Sequence, residues 1–179
     1  HDTISNINKL LLVKELHNIV IDASALSVFY GKKNKIKNLP LGTVLTPHYG
    51  ELSKILDVSM KTLLSQPLQV YSKNKLLFKD KILVLKGPST IIFDGDGNSN
   101  FVVNGNSLLS TAGTGDVLSG MIASLIAQGL SPINASLIST YVHAEISRIY
   151  SKKYKTGVTA SDICKLIPDV LTRVCYENN

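Results

Sequence analysis

The sequence predicts a layered α/β domain whose mostly parallel sheet is flanked by helices. Three observations lead there. Short β-branched runs alternate with helically spaced stretches in the first half, a turn-rich hairpin follows, and the last third reads as helix. With 179 residues and 44% hydrophobic content, the chain (1–179) is one domain of ordinary size, able to bury a substantial core.

The elements follow in order. Ile7, Leu10, Leu11 and Val13 have helical spacing and predict a helix from Ile7 to Leu16, after which Ile19-Val20-Ile21 reads as a short buried strand. Asp22-Ala23-Ser24-Ala25-Leu26 then lies at the strand's carboxyl end, where open α/β sheets place their ligands. Asp22 there is either a holder of metal-bound phosphate or a turn and cap residue. Tyr30 to Pro40 reads as a lysine-rich loop. Thr43-Val44-Leu45 is a second strand. Thr46 as N-cap and Pro47 as first helical residue start a helix from His48 to Leu56. Met60 to Phe78, interrupted by Pro67, fits a helix or a kinked pair.

Ile82-Leu83-Val84-Leu85 is the strongest strand signal, and it ends at Lys86-Gly87-Pro88-Ser89-Thr90. Ile91-Ile92-Phe93 and Phe101-Val102-Val103 flank Asp94-Gly95-Asp96-Gly97-Asn98 as a hairpin. That turn lacks the ligand spacing of a calcium loop. Val117, Leu118, Met121, Ile122, Leu125 and Ile126 form one face of a central helix beginning at Gly113 and Gly115 and closed by Ala127-Gln128-Gly129. Pro132 starts the next helix, on which His143 reads as a packing residue. Thr159 or Ser161 caps the last, which runs to about Cys175 and is kinked or split at Pro168.

Bulk properties exclude several classes. The formal charge is +6, but the basic residues are nearly all lysines, Arg148 and Arg173 being the only arginines, and no aromatic residues interleave with them. A nucleic-acid groove is not indicated. Cys164 and Cys175 lack metal-ligand spacing and fit a reduced, cytoplasmic compartment. No apolar run reaches the ~20 residues that span a bilayer, so no membrane partner is expected. The first residue is His1 rather than Met.

The chemistry concentrates in Ser110-Thr111-Ala112-Gly113-Thr114-Gly115-Asp116-Val117-Leu118-Ser119-Gly120. A helix N-terminus offers unpaired amides and the positive end of the macrodipole, and glycines let an anion approach. Asp116 beside a phosphate suits a general base toward an attacking hydroxyl. The plainer reading is a tight turn with an acidic residue favouring the helix start. His48 and Glu51 at one strand-to-helix junction, and Lys86 and Gly87 at another, face the same cleft if the sheet is parallel, with Lys86 suited to nucleotide phosphate or ribose.

Three segments, Thr46-Pro47-His48-Tyr49-Gly50-Glu51, Lys86-Gly87-Pro88-Ser89-Thr90 and Thr111-Ala112-Gly113-Thr114-Gly115-Asp116-Val117-Leu118-Ser119-Gly120, together resemble the ADP/ATP-dependent NAD(P)H-hydrate dehydratases of the ribokinase-like superfamily. The resemblance extends to Asp22 through Leu26, His143-Ala144-Glu145 and Thr159-Ala160-Ser161-Asp162. It implies a ribokinase-like fold and a repair reaction in which hydrated NADH or NADPH (NADHX, NADPHX) loses water at the expense of ADP or ATP, with Mg²⁺. Asp116 would be the base, and Gly113, Thr114 and Gly115 the anion hole. Lys86, Gly87, Pro88, Ser89, Thr90 and Gly115 would hold the nucleotide, and His48 and Asp116 would contact the hydrated dinucleotide. Asp22, Glu51 and Asn106 are further candidates, and no residue is a dedicated metal ligand. A homo-oligomer, a tetramer by resemblance, is implied.

The chain departs from the family pattern at three places. Ser24 replaces a second aspartate, Asn106-Ser107-Leu108-Leu109-Ser110 keeps only the asparagine of N-P-G-M-A, and the glycine- and alanine-rich N-terminal segment is not present, so an incomplete N-terminus is expected. The competing readings are a kinase of a small alcohol such as a vitamin precursor, and a nucleotide-binding fragment without turnover.

Overall fold

In the computed structural model of the protein, residues 2–10, 13, 16–103 and 105–176 are described. Five strands form one sheet in the order β1 (Val20–Ile21), β2 (Val44–Leu45), β3 (Ile82–Leu85), β4 (Thr90–Phe93), β5 (Ser99–Val102). The first three pair in parallel, Val20 opposite Val44 and Val44 opposite Ile82. β4 and β5 close the sheet as an antiparallel hairpin, with Leu83 opposite Phe93 and Ile91 opposite Phe101. Four strands therefore share one direction and β4 opposes them.

β3 is buried along its whole length, which is why its sequence is an unbroken apolar run rather than an alternating one. Its side chains alternate between two cores. Leu83 and Leu85 face the layer built by the crossovers, which holds Leu26 and Phe29 of a 3₁₀ segment (Ala23–Phe29) and the helices α2 (Tyr49–Leu56), α3 (Met60–Ser65) and α4 (Pro67–Asn74). Ile82 and Val84 face α5 (Thr114–Ala127) and α6 (Pro132–Ser151) through Leu118, Ile122, Leu125 and Ala135. α7 (Ala160–Tyr176) completes the outer side against Met121, Val142 and Ile146. Together these layers form the predicted α/β sandwich.

Local chemistry sets most boundaries. Pro67 divides the Met60–Phe78 stretch into two helices by taking the first helical position of α4. The Asp94 carboxylate accepts the amides of Asp96, Gly97 and Asn98, so the Asp-Gly-Asp-Gly-Asn run is a hairpin turn capped by its own first residue. Gly129, at φ +97, closes α5, and the Leu130 amide donates to the Leu125 carbonyl as in a helix-terminating Schellman arrangement. Thr159, rather than Ser161, caps α7, exchanging bonds with Asp162, and the helix runs unbroken through Pro168.

Four expectations are corrected. The first helix, α1, spans Asp2–Leu10 rather than Ile7–Leu16; Val13 is exposed and non-helical, and Leu11 lies outside the described residues. Lys33–Asn38 is a 3₁₀ segment rather than a loop, because Ile36 is drawn wholly into the core and leaves its lysine neighbours at the surface. The hairpin's second strand is Ser99–Val102, with Val103 beyond it. Thr46 does not cap α2; that role falls to His48. Cys164 is an exposed free thiol, and the side chain of Cys175 lies outside the described residues.

Candidate active site

The three parallel strands end side by side, and the chain continues their ladder for a few residues more. The Thr46 amide donates to the Ile21 carbonyl, the Lys86 amide donates to the Pro47 carbonyl at 2.8 Å, and His48 bridges Lys86 in parallel. This pairing keeps Pro47 and His48 extended, so α2 starts only at Tyr49. His48 Nδ1 accepts the Glu51 amide while the Glu51 carboxylate accepts the His48 amide, a reciprocal capping box. Tyr49 packs so closely over Gly87 that a Cβ there would lie 2.4 Å from its ring, which ties the His48 and Lys86 junctions together.

α5 points its N-terminus at these junctions. Its N-cap is Gly113, at φ +85 and with space for a Cβ only 3.1 Å from that of Ala160. Both the conformation and the contact call for glycine. Gly113→Ala is expected to cost about 1–2 kcal/mol, seen as a Tm several degrees lower, with partial recovery in Gly113→Ala combined with Ala160→Gly. Thr114 is buried, its hydroxyl donating to the Leu109 and Thr111 carbonyls, and its amide donates to the Thr111 carbonyl as well. Among the described residues the Gly113, Gly115 and Asp116 amides have no partner, and they form the exposed, electropositive end of the helix.

Lys86 meets this end directly. Its ammonium donates to Asp22 Oδ1 at 2.7 Å, and a Cβ on Gly115 would lie 3.2 Å from Nζ. Asp22 Oδ1 also accepts the Ala23 amide, and Oδ2 accepts the Ser119 hydroxyl. Burial pushes the Asp22 carboxyl up, but the bonds from Lys86 and Ser119, the Lys86 charge and the Thr46 hydroxyl outweigh it and hold the group below its ordinary value. Both oxygens are thus engaged by the protein. Among the described residues no group of three or more His, Cys, Asp or Glu side chains is placed to hold a metal.

A cavity of about 590 Å³ opens beside this arrangement, a usual size for a small-molecule site. His48, Lys86, Gly87, Pro88 and Thr90 line one wall, and Asn106, Thr114 and Gly115 another. Asn106 holds its wall in place, accepting the Leu108 amide and donating to the Ser147 carbonyl of α6. Ser89, Gly113, Glu51 and Asp116 lie off the lining, Asp22 sits behind Lys86, and Asp116 is exposed in the first turn of α5.

Sequence reasoning missed four contributors. Thr46 and Ser119 belong to the Asp22 cluster, and Thr140 and His143 line the cavity. His143 is buried as expected of a packing residue, yet among the described residues its Nε2 has no partner, nor does the Thr140 hydroxyl. Burial pushes the His143 pKa from 6.5 down to about 4, a bond with the Thr114 backbone opposing and the Lys86 charge assisting. The unfolded chain therefore takes up this proton first. Stability holds above pH 6.5 and falls by about 3 kcal/mol as pH drops from 6.5 to 4. In His143→Gln the acid limb of a denaturant-midpoint profile should be correspondingly flatter over that window.

A family model described as NAD(P)H-hydrate dehydratase matches residues 3–169. The chain belongs to that family. It is 37% identical over 163 residues to the bifunctional NAD(P)H-hydrate repair enzyme Nnr of Dictyoglomus turgidum, covering 90% of this chain and 31% of that protein. It is 30% identical over 145 residues to the ADP-dependent (S)-NAD(P)H-hydrate dehydratase of Neisseria meningitidis, covering 79% and 48%. The chain therefore spans less than half the length of either relative.

Among solved structures, the Bacillus subtilis ADP/ATP-dependent NAD(P)H-hydrate dehydratase, co-crystallised with ATP and Mg²⁺, superposes at TM-score 0.74 and 27% identity, over 86% of this chain and 54% of that one. A ribokinase-like superfamily protein of Enterococcus faecalis superposes at 0.77 and 25%, over 95% and 58%. The fold of this family member is ribokinase-like, as its sequence implied. Its described residues include no helix long and apolar enough to cross a membrane.

Proposed function

We propose that the protein acts in nicotinamide cofactor repair, dehydrating the S-epimer of NADHX or NADPHX at the expense of ADP or ATP. One observation carries the reading: the Lys86 ammonium stands beside Gly115, so a cation and the Gly115 amide, unpartnered among the described residues at a helix N-terminus, meet on one edge of a ligand-sized cavity. Such a place receives phosphate. The nucleotide lies in the cavity with its phosphates toward Lys86 and the Gly115 amide and the rest along Gly87 to Thr90. The hydrated dinucleotide approaches from the Asp116 side, within reach of His48.

Hydroxide is a poor leaving group, so the ring hydroxyl is phosphorylated first. Asp116 takes the hydroxyl proton as the oxygen attacks the terminal phosphorus of ADP, and the bond to the bridging oxygen breaks to release AMP. The Gly113, Gly115 and Asp116 amides with Lys86 stabilise the charge on the transferring group. The carbon–oxygen bond then breaks as the adjacent ring carbon gives up a proton, leaving reduced nicotinamide and inorganic phosphate. The substrate's oxygen ends in the phosphate.

Because the described residues do not fit a metal cage and Asp22 is already engaged, Mg²⁺ is expected to travel with the nucleotide phosphates. The proposed setting is the cytoplasm, with the small molecules as partners. The test is recovery of reduced-nicotinamide absorbance from hydrated NADH with ADP, ATP or neither. Nucleotide-dependent recovery with one phosphate released per turnover is expected. A stable phosphorylated product would instead mark a kinase, and bound nucleotide without either would mark an inert fragment.

A further inference from the structure

We propose that Asp22 is the positioning residue of the phosphate site, holding the Lys86 ammonium over the start of α5; this rests on the nucleotide reading given above. A cation at a helix N-terminus sits against the positive end of the helix field. Lys86 is nevertheless there, its Nζ close enough to Gly115 that a Cβ would touch it. The compensating charge is Asp22, 2.7 Å away and largely shielded from solvent.

Asp22 joins the cation to the helix that repels it. One carboxylate oxygen takes Lys86 and the other takes Ser119, on the second turn of α5, whose hydroxyl also lies 3.1 Å from the Gly115 carbonyl and 3.4 Å from the Thr46 hydroxyl. Asp22 itself is fixed at the end of β1 by the Ala23 amide. An ammonium has three donors. Asp22 uses one, and among the described residues no other group takes the remaining two, which leaves them for a phosphate in the cavity that Lys86 lines. Asp22 does not line that cavity and acts through Lys86.

Two physical expectations then point in opposite directions. If Asp22 acted only through space, deleting its negative charge would strengthen anion binding. If it positions Lys86, deletion frees the ammonium to swing into solvent, away from the helix, and anion binding weakens. The experiment is a double-mutant cycle on ADP affinity by calorimetry, with wild type, Asp22→Ala, Lys86→Ala and the double variant, each checked by thermal melting. Asp22→Ala should weaken ADP about 10-fold, and Asp22→Asn, which retains an acceptor oxygen, should recover part of the loss.

The double variant should bind no more weakly than Lys86→Ala alone. Tighter or unchanged binding in Asp22→Ala, or independent losses that multiply in the double variant, would overturn the proposal while leaving the nucleotide site intact. Absence of ADP binding by the wild type would overturn the nucleotide reading and this proposal with it. If Asp22→Ala does not fold, Ser119→Ala decides, since it cuts the second arm without removing charge. A loss of ADP affinity that disappears in the Lys86→Ala background is expected there, and an unchanged affinity overturns the proposal.

Discussion

Asp116→Asn should lower turnover of hydrated NADH by about 10²–10⁴-fold while leaving ADP affinity within about twofold, because a general base is separable from the cradle that binds phosphate. The structure makes this substitution a clean probe. Asp116 is exposed in the first turn of α5, its carboxylate has no partner among the described residues, and it stands off the cavity lining. Folding asks little of it. An acidic side chain there contributes at most about 1 kcal/mol through the helix field, and Asn keeps its size, so melting should shift by only a few degrees. The rate is read as absorbance recovery at saturating ADP, and affinity by calorimetry. Turnover close to wild type would remove Asp116 from the base role, and equal losses in rate and affinity would make it part of the cradle.

The contrast between Asp116 and its surroundings also shows what a sequence makes legible. β3 was readable because a strand buried on both faces must be apolar throughout, and α5 because its buried face repeats with the helical period. The start of α2 was not. Thr46-Pro47 carries sound helix-start chemistry, but the bridge between His48 and Lys86 extends the sheet past it, a tertiary contact that local propensity does not encode. Ile36 failed for another reason: one buried residue among lysines has no period to detect.

The site divides the same way. Gly113, Gly115 and Lys86 stood in motifs at strand and helix ends, where ligand chemistry concentrates. Thr46 and Ser119 are hydroxyls whose importance lies in partners far along the chain, Ser119 reaching Asp22 across 97 positions. The burial of His143 was foreseeable from the apolar helix around it. That His143 lines a cavity, with a ring nitrogen unpartnered among the described residues, depends on the packing of α6 against the walls formed by Asn106 and Thr114.

Lys86→Ala is expected to have the second large effect, and it separates into two parts. The first is binding. A charge-assisted bond to phosphate contributes about 1.5–3 kcal/mol, so ADP affinity should fall by about 10–100-fold. The second is stability, and it comes from the carboxylate left behind. In the wild type the bonds and charge that Lys86 supplies help to hold the Asp22 carboxyl below its ordinary value against burial, so the pair stabilises the fold above the ordinary carboxylate range and loses that contribution as pH falls through the folded value. Without Lys86 the burial effect is opposed only by Ser119, Thr46 and the Ala23 amide, and the group moves upward. The variant should then be less stable than wild type at pH 7, with the gap closing as pH falls and the lone carboxyl becomes neutral. Denaturant midpoints of both proteins at pH 7, 5 and 4 measure this. A gap that stays constant with pH would mean that Lys86 contributes packing rather than charge, and that the ammonium over α5 is not held there by its ion pair.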